Sequence, residues 1–262
     1  MRRSLLSLRS ATLRVGVSLP LVLAGAGPLV AQAPSALPSA KELIAKHVAA
    51  TNVSAVMAKH TSVITKGKIE VPSAGVSGDV QMTQARPNKA VMRVNLAGIG
   101  LIEQGFDGTT GWSLHPMTGP RLLTGRELDT MREETSFGVS SRQGPNVASA
   151  ETVEKTQMNG EACYKVKITW KSGRESFDCY SVASGLLVAV VAKQEGPTGA
   201  IEVTNLISDY KDFGGQKLAT RIAQQAMGQE QVMTFTGVEY DAAPDSAFAM
   251  PPAIKALAEK KP

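Results

Sequence analysis

The side chains best suited to metal binding or catalysis are few and widely spaced in this 262-residue chain. The three histidines, His47, His60 and His115, form no pair with ligand spacing such as HxH or HExxH. The sequence also lacks the GxSxG elbow of serine hydrolases, the P-loop and the GxGxxG dinucleotide motif. We therefore expect no metal, no cofactor, and surface or capping roles for the histidines.

A few acidic and hydroxyl side chains could act as acids or nucleophiles, but each has a structural explanation. Asp107 and Ser172 each precede a glycine, and both dipeptides are typical of hairpin turns. Glu133 and Glu134 lie at the end of a predicted helix among polar residues, so we expect them to be solvated. The sequence therefore predicts a protein without enzymatic activity.

Aromatic residues on predicted strands could line a ligand cavity or form an ordinary core. Aromatic residues make up only 5% of the chain, whereas Met, Val, Leu, Ile and Ala are plentiful. Such a composition gives a soft, adaptable lining that suits lipid chains.

The N-terminal segment has the order of a secretory signal peptide. Four arginines precede an apolar run, Val15 to Val30, which is shorter than the roughly 20 residues of a membrane-spanning helix. Ala31-Gln32-Ala33 offers the small residues that signal peptidase reads, with Ala24-Gly25-Ala26 as the second choice. We predict a signal peptide over residues 1–33 rather than a retained anchor. No cysteine lies near the cut, so we expect a periplasmic protein without a lipid anchor.

Removal of the signal peptide changes the charge of the protein. The whole chain carries 28 basic and 23 acidic side chains, and residues 1–33 hold four of the basic ones and none of the acidic ones. The mature protein keeps 24 basic and 23 acidic side chains. This balance gives no support for nucleic-acid binding, which needs clustered basic charge.

Cys163 and Cys179 are the only cysteines, and they flank a hairpin that turns near Ser172. A three-residue loop would place both on one face in diagonal positions, whereas a two-residue loop would put them on opposite faces. The two-residue register would align Phe177 better with Tyr164 and its alternate neighbours. We favour a disulfide because export places the pair in an oxidising compartment.

Helical patterns occur at the start and in the middle of the mature chain. After a flexible tail at 34–38, Ser39 and Glu42 have the spacing of a capping box, and an amphipathic helix follows. A second short helix is predicted over 53–59. Thr124 and Glu127 predict another capping box at the start of a mid-chain helix, and residues 138–149 predict a polar loop.

Period-two alternation predicts strands over most of the remaining chain. One set covers 62–71, 76–85 and three strands between 87 and 120, and a second set runs from 151 to 240. Short turns join consecutive strands, which favours an antiparallel meander. We predict an α+β domain over residues 39–262. Its sheet would be antiparallel and strongly curved, a half-barrel of about 11–12 strands with helices covering the concave face.

The most distinctive segment is GFDGTTGWSLHPMTGP, residues 105–120. It resembles the periplasmic outer-membrane lipoprotein carrier and lipoprotein-sorting superfamily (LolA/LolB-like), most of all its lipoprotein-sorting branch. Three further segments add to the resemblance, namely the KSG turn at 171–173, DYKDFGGQKL at 209–218 and DSAFAMPP at 245–252. Carriers of this superfamily latch their lid with an arginine in an early strand, and the strands at 62–71 and 76–85 contain no arginine.

The resemblance implies an exported, non-enzymatic, monomeric protein that shelters the acyl chains of a lipid or lipoprotein in the envelope, with a role in outer-membrane lipoprotein sorting. The alternative is a docking subunit with a packed half-barrel, acting beside an envelope peptidase or complex. For the ligand-binding cavity we select apolar residues that alternate with polar ones on consecutive strands. These residues are Val80, Met82, Met92, Val94 and Leu101, with Trp112 near the rim. The helical stripe of Leu43, Ile44 and Val48 is predicted to cover them as a lid.

Overall fold

The computed structural model describes residues 36–137, 141–196 and 199–260 of the chain. The predicted signal peptide and the first two residues of the predicted tail lie outside the described residues. The described residues from Leu37 onward form one compact unit.

Four α-helices lie in the described residues, and local sequence sets the start of the first. They are α1 (Ala40–Thr51), α2 (Val53–Met57), α3 (Gly125–Glu134) and α4 (Pro252–Glu259). The Ser39 hydroxyl accepts a hydrogen bond from the Glu42 amide at 3.3 Å, and the Glu42 carboxylate accepts one from the Ser39 amide at 2.9 Å. The capping box predicted there is confirmed. The box predicted at Thr124 is wrong, because Glu127 instead binds Arg121 through two hydrogen bonds of 2.5 and 2.8 Å.

Thirteen strands make up the rest of the described fold, and glycine-containing turns separate most of them. The N-terminal set is β1 (Ser62–Val71), β2 (Val76–Ala85), β3 (Lys89–Leu96), β4 (Gly100–Phe106), β5 (Gly111–His115) and β6 (Gly119–Leu122). The C-terminal set is β7 (Val147–Met158), β8 (Glu161–Trp170), β9 (Glu175–Ser181), β10 (Leu187–Gly196), β11 (Gly199–Phe213), β12 (Gln216–Ala226) and β13 (Gln229–Tyr240). Short 3₁₀ helices lie at Pro72–Ala74, Ser141–Gln143 and Asp245–Phe248. Residues 138–140 of the polar loop predicted over 138–149 lie outside the described residues, and β7 begins at Val147, within the predicted loop.

The strands form one open antiparallel sheet in the order β6-β5-β4-β3-β2-β1-β13-β12-β11-β10-β9-β8-β7. The predicted meander is confirmed, but the predicted count of 11–12 strands is too low. The extra strand is β6, which contains Pro120 and lies at the edge of the sheet. Proline cannot donate to a central ladder, so a short edge strand is a position that tolerates it.

The first and last strands of the chain join the two sets. β1 pairs with β2 on one side and with β13 on the other. The two edges of the sheet are β6 and β7, which are consecutive in the chain. The segment between them, including α3, therefore runs from one edge of the sheet to the other.

Alternation along the strands gives the sheet two faces, and helices pack on both. We call the face that carries Val63 and Val166 the helix-bearing face, because α1 and α2 pack on it. We call the face that carries Val91 and Trp112 the opposite face. Ile254 of α4 packs against these two side chains, so the helices are not confined to one face.

The β8–β9 hairpin decides the register that the sequence left open. The Trp170 amide donates to the Arg174 carbonyl at 2.9 Å, which leaves a three-residue loop ending at Gly173, with φ of 82°. In this register Cys163 and Cys179 are diagonal neighbours on one face. They form the predicted disulfide, with a Cα–Cα distance of 5.5 Å.

Candidate ligand-binding face

An apolar cluster lies on the helix-bearing face without any helix residue in it. Its buried members come from β1, β2, β3 and β13 and are Ile69, Val80, Val94, Leu96 and Phe235. Partly buried side chains surround them, namely Met82, Met92, Ile99, Ile102, Ile222 and Met233. Val80 is 1% exposed although its neighbours in the cluster all come from the sheet and its turns. Sheet residues alone therefore enclose the centre of the cluster, and flexible methionines lie around it.

Charge is segregated around this cluster. On six neighbouring strands, β4-β3-β2-β1-β13-β12, the pairing register places every charged side chain on the opposite face. Those charged residues are Lys66, Lys68, Glu70, Asp79, Lys89, Arg93, Glu103, Lys217, Arg221, Glu230 and Glu239. The helix-bearing face of the same strands holds only apolar, glycine, threonine, tyrosine and glutamine residues. Such a face suits contact with an apolar surface rather than with water.

The structure brings four of the six predicted cavity residues together. Val80 pairs with Val94 and Met82 pairs with Met92, so these side chains share the helix-bearing face. Leu101 pairs with an asparagine of β3 and lies on the opposite face, where it is 44% exposed. The residue after it, Ile102, occupies the cluster instead. The prediction chose the wrong member of this dipeptide, because the β3–β4 turn sets the register and a shift of one residue exchanges the faces.

Trp112 is also on the opposite face and is fully buried, so its predicted place at a cavity rim is wrong. Its indole ring lies over Gly105, and its Nε1 donates to the Glu103 carboxylate at 2.9 Å. Arg93 donates to the other oxygen of that carboxylate at 2.7 Å. Phe248 packs beside the ring. Trp112 thus anchors the C-terminal segment to the sheet.

The stripe on α1 covers a different part of the helix-bearing face from the one predicted. Leu43 and Ile44 are buried, and Val48 is partly buried, against side chains of β8 and β9. These partners are Val166, Ile168, Trp170 and Tyr180. The stripe therefore belongs to a packed core at one end of the sheet order and makes no lid over Val80 and Met92.

A buried charged network attaches α3 and the segment after it to the β8–β9 hairpin. Arg142 donates to Asp178 at 2.9 Å and to Glu134 at 2.7 Å. Arg174 donates to Glu133 at 3.0 Å and to Glu134 at 2.8 Å. The Asp178 side chain is completely buried. Burial acts to raise the pKa of Glu134, but the two arginines outweigh it and the pKa is lowered.

The same network surrounds aromatic side chains. The guanidinium carbons of Arg142 and Arg174 lie 5.4 and 4.6 Å from the Trp170 ring centroid, within cation–π range. The Tyr180 hydroxyl donates to Asp178 at 3.0 Å. His47 of α1 packs beside Tyr180, with 5.6 Å between ring centroids. The network therefore links α1, β9 and the segment after α3.

Solved structures with a similar fold are known. A LolA superfamily protein from Nitrosomonas europaea aligns over 82% of this chain and 99% of its own, with a TM-score of 0.54 and 13% identity. A DUF1329 family protein from Desulfovibrio piger aligns over 78% and 97%, with a TM-score of 0.50 and 12% identity. The sequence matches no protein-family model and no curated protein.

The fold of this chain is similar to that of a LolA superfamily protein. The expectation from the segment at residues 105–120 is thereby confirmed at the level of the fold. At 13% identity, residue roles do not transfer from the similar structures to this LolA-like chain.

Sequence reasoning missed the charged network of the LolA-like sheet. Glu133 was expected to be solvated, but it is 5% exposed and bound by Arg174. The two residues are 41 positions apart, and only the adjacent glutamates were visible as a pattern. Arg142 lies in the polar segment that was predicted as a loop, and nothing in its neighbours points to Asp178.

The three histidines have separate surroundings. His60 stacks on Tyr240 and contacts the Asp241 carboxylate at 2.7 Å. Hydrogen bonds from His60 and Thr61 lower the pKa of Asp241. His115 accepts a hydrogen bond from a turn amide at 3.1 Å, as a capping role requires. His47 is an exception to the expected surface role, because burial lowers its pKa to about 4.

Of two pockets in the described part of the chain, one lies outside the predicted site and the other is lined in part by Val80 and Leu101 of that site. One of about 620 Å³ lies beside the β8–β9 turn, where Arg126, Arg174, Phe177 and Val191 are among its lining residues. Another, of about 270 Å³, opens mainly on the opposite face beside Leu101.

Within the described ranges, no group of three or more His, Cys, Asp and Glu side chains is placed to hold a metal ion. No helix among the described residues has the length and apolar character needed to cross a membrane.

Proposed function

We propose that this protein is an exported, non-enzymatic binding protein that shelters the acyl chains of a lipid or lipoprotein in the bacterial envelope. The observation that carries the proposal is the uncharged helix-bearing face of six neighbouring strands, with its apolar cluster free of helix residues. A face of this kind lowers the free energy of an apolar chain that leaves water. The LolA-like fold supports the same function.

The ligand-contacting residues that we propose are Met82 and Met92, with Val80 and Val94 next to them on the same face. Met82 and Met92 are partly buried and pair across β2 and β3. Methionine side chains rearrange at low cost, so they can admit a chain of variable shape. Ile102 replaces Leu101 in this proposed set.

A docking role is the second candidate, and the burial of the cluster centre favours it. Val80, Ile69 and Phe235 are each 5% exposed or less, so the centre of the cluster is filled by protein side chains. A filled half-barrel suits a subunit that docks beside an envelope peptidase or complex.

Lipid analysis distinguishes the two candidates. The protein would be purified from native periplasm under non-denaturing conditions, and extracted lipids would be identified by mass spectrometry. A carrier yields acyl lipids in stoichiometric amounts. A docking subunit yields none, and it also fails to bind pyrene-labelled acyl chains added after purification.

Export and a monomeric state belong to the proposal. N-terminal sequencing of the exported form is expected to begin near Pro34, after Ala31-Gln32-Ala33. An intact Met1 in a membrane pellet would contradict cleavage. Light scattering of the purified mature protein is expected to give the mass of one chain.

A further inference from the structure

A row of three amide side chains crosses β11, β12 and β13 on the helix-bearing face. Gln224 opposes Asn205 on one side and Gln231 on the other. The Gln224 amide donates to the Asn205 carbonyl oxygen at 3.0 Å, and the Gln231 amide donates to the Gln224 carbonyl oxygen. All three side chains are half-buried. These two bonds use one N–H each of Gln224 and Gln231, so the row keeps further N–H donors for another acceptor.

The row borders the apolar cluster directly. Ile222 and Met233 oppose each other on the same two strands, two residues from Gln224 and Gln231, and both belong to the cluster. An acyl chain lying on the cluster would therefore bring the polar group at its end to the amides. Spacing along a strand is about 3.3 Å per residue, so the distance matches a few bonds of the ligand.

The charge of the face limits which polar group can lie there. Across β4-β3-β2-β1-β13-β12 the helix-bearing face holds no lysine, arginine or histidine. On β11, which carries Asn205, the basic residue on this face is Lys211, six residues along the strand from Asn205. A carboxylate or phosphate brought to a half-buried site without a cation loses hydration that neutral amides replace only in part. An ester or amide carbonyl needs only an N–H donor, which the row supplies.

We infer that the row selects ligands whose acyl chain ends in an uncharged carbonyl, such as an acyl ester, over free fatty acids. This inference rests on the proposed function and specifies the ligand class of the same face. Gln224 is the specificity-determining residue, because it lies in the middle of the row and contacts both of its neighbours.

The test compares two probes with the same chain, pyrene-labelled hexadecanoic acid and its methyl ester, by fluorescence titration of delipidated protein at pH 8. The wild-type protein is expected to bind the ester at least about tenfold more tightly than the acid. Gln224→Lys places a cation in the row and is expected to raise the affinity for the acid by about tenfold. Gln225→Lys is the matched control, because Gln225 is the next residue, exposed, and on the opposite face. It is expected to change neither affinity.

Each outcome bears on the inference. The inference is overturned if the wild-type protein binds the acid and the ester equally tightly, or if Gln224→Lys and Gln225→Lys change the two affinities equally. Either result would leave acyl binding intact. Binding of neither probe by the wild-type protein overturns the proposed function as well. If Gln224→Lys melts before the titration temperature, Gln224→Met replaces it, and it is expected to abolish the preference for the ester.

Discussion

Arg142 reaches Asp178 across 36 residues of sequence, and the Arg142 Nε lies 2.9 Å from a carboxylate oxygen that is completely buried on the helix-bearing face. Arg142 follows α3, the helix on the segment that runs from one edge of the sheet to the other. Within α3 itself, the buried residue is Glu133. Charge pairing therefore holds the end of α3 and Arg142 on the β8–β9 hairpin, while Phe137 of the same segment packs in an apolar cluster with Met57 and Val63.

Removing one charge of this pair is expected to destabilise the protein. Asp178→Asn leaves Arg142 buried with one carboxylate fewer, and loss of a partner in a buried pair costs about 3–5 kcal/mol. The matched control is Asp79→Asn, which removes the partner of Lys68 in a pair more than half exposed. Exposed pairs contribute about 0–1 kcal/mol. Urea denaturation measures both, and equal losses would mean that burial gives the Asp178 pair no special weight.

The buried His47 is expected to make stability depend on pH. Burial, together with nearby Arg142 and against Asp178, lowers its pKa to about 4, whereas an unfolded histidine titrates near 6.5. As pH falls from about 6.5 to about 4, the unfolded chain takes up a proton that the folded protein does not bind, so about 2–3 kcal/mol of stability is lost. His47→Asn keeps an acceptor for the Leu187 amide, which binds His47 at 3.2 Å. If the free energies of unfolding of the wild-type and His47→Asn proteins fell equally between pH 6.5 and 4, His47 would not be the group responsible.

The disulfide is expected to stabilise the β8–β9 hairpin region. It closes a loop of sequence separation 16, for which chain entropy gives about 3 kcal/mol. Replacing both cysteines by alanine should lower the free energy of unfolding by about that amount. Thiol labelling of unfolded, unreduced wild-type protein checks the bridge itself. Two labelled thiols in periplasm-derived protein would show that it is absent.

Met92 and Leu101, two members of the predicted cavity that lie on different faces of the sheet, provide a test of the binding face. Met92→Glu puts a charge among the half-buried methionines. It is expected to weaken binding of a pyrene-labelled acyl ester by about tenfold or more, because the unpaired carboxylate would lose its hydration when the acyl chain binds. Leu101→Glu adds the same group to the opposite face, where Leu101 is 44% exposed, and should leave binding unchanged.

Thermal melts separate the two candidate functions in the same experiment. Over a hydrated cavity, Met92→Glu should lower stability only slightly. In a packed docking subunit it should cost several kcal/mol, because the charge is buried without a partner. Unchanged binding in a well-folded Met92→Glu protein would show that acyl chains lie elsewhere.

Gly105 is expected to tolerate no side chain because the Trp112 ring occupies the space. A Cβ at Gly105 would lie 2.2 Å from Trp112 Cζ2, and the ring is fully buried beneath the C-terminal segment. Gly105→Ala should therefore cost about 3 kcal/mol or more. Gly237→Ala is the control, since a Cβ there meets nothing within 4 Å. A small loss in both variants would mean that the indole moves aside readily.

Local sequence patterns determined much of the fold. Alternation placed the strands, turn dipeptides separated them, and Ser39 with Glu42 fixed the start of α1, because each of these depends on residues close in sequence. The separation of charged from uncharged residues on alternate positions was also in the sequence. It identified Val80, Met82, Met92 and Val94 as one surface, and the pairing of β2 with β3 places these four side chains on one face.

Only the tertiary structure decided the remaining features, because they depend on contacts between distant residues. The pairing register of β3 with β4 places Leu101 on the opposite face, and the register of β4 with β5 places Trp112 there as well. The pairing of β1 with β13 joins the two ends of the chain, and no local pattern encodes it. Glu133 was predicted to be solvated because its partner, Arg174, approaches only when α3 lies on the β8–β9 hairpin. Burial of a charge is a property of the assembled fold, since the cation that compensates it can come from anywhere in the chain.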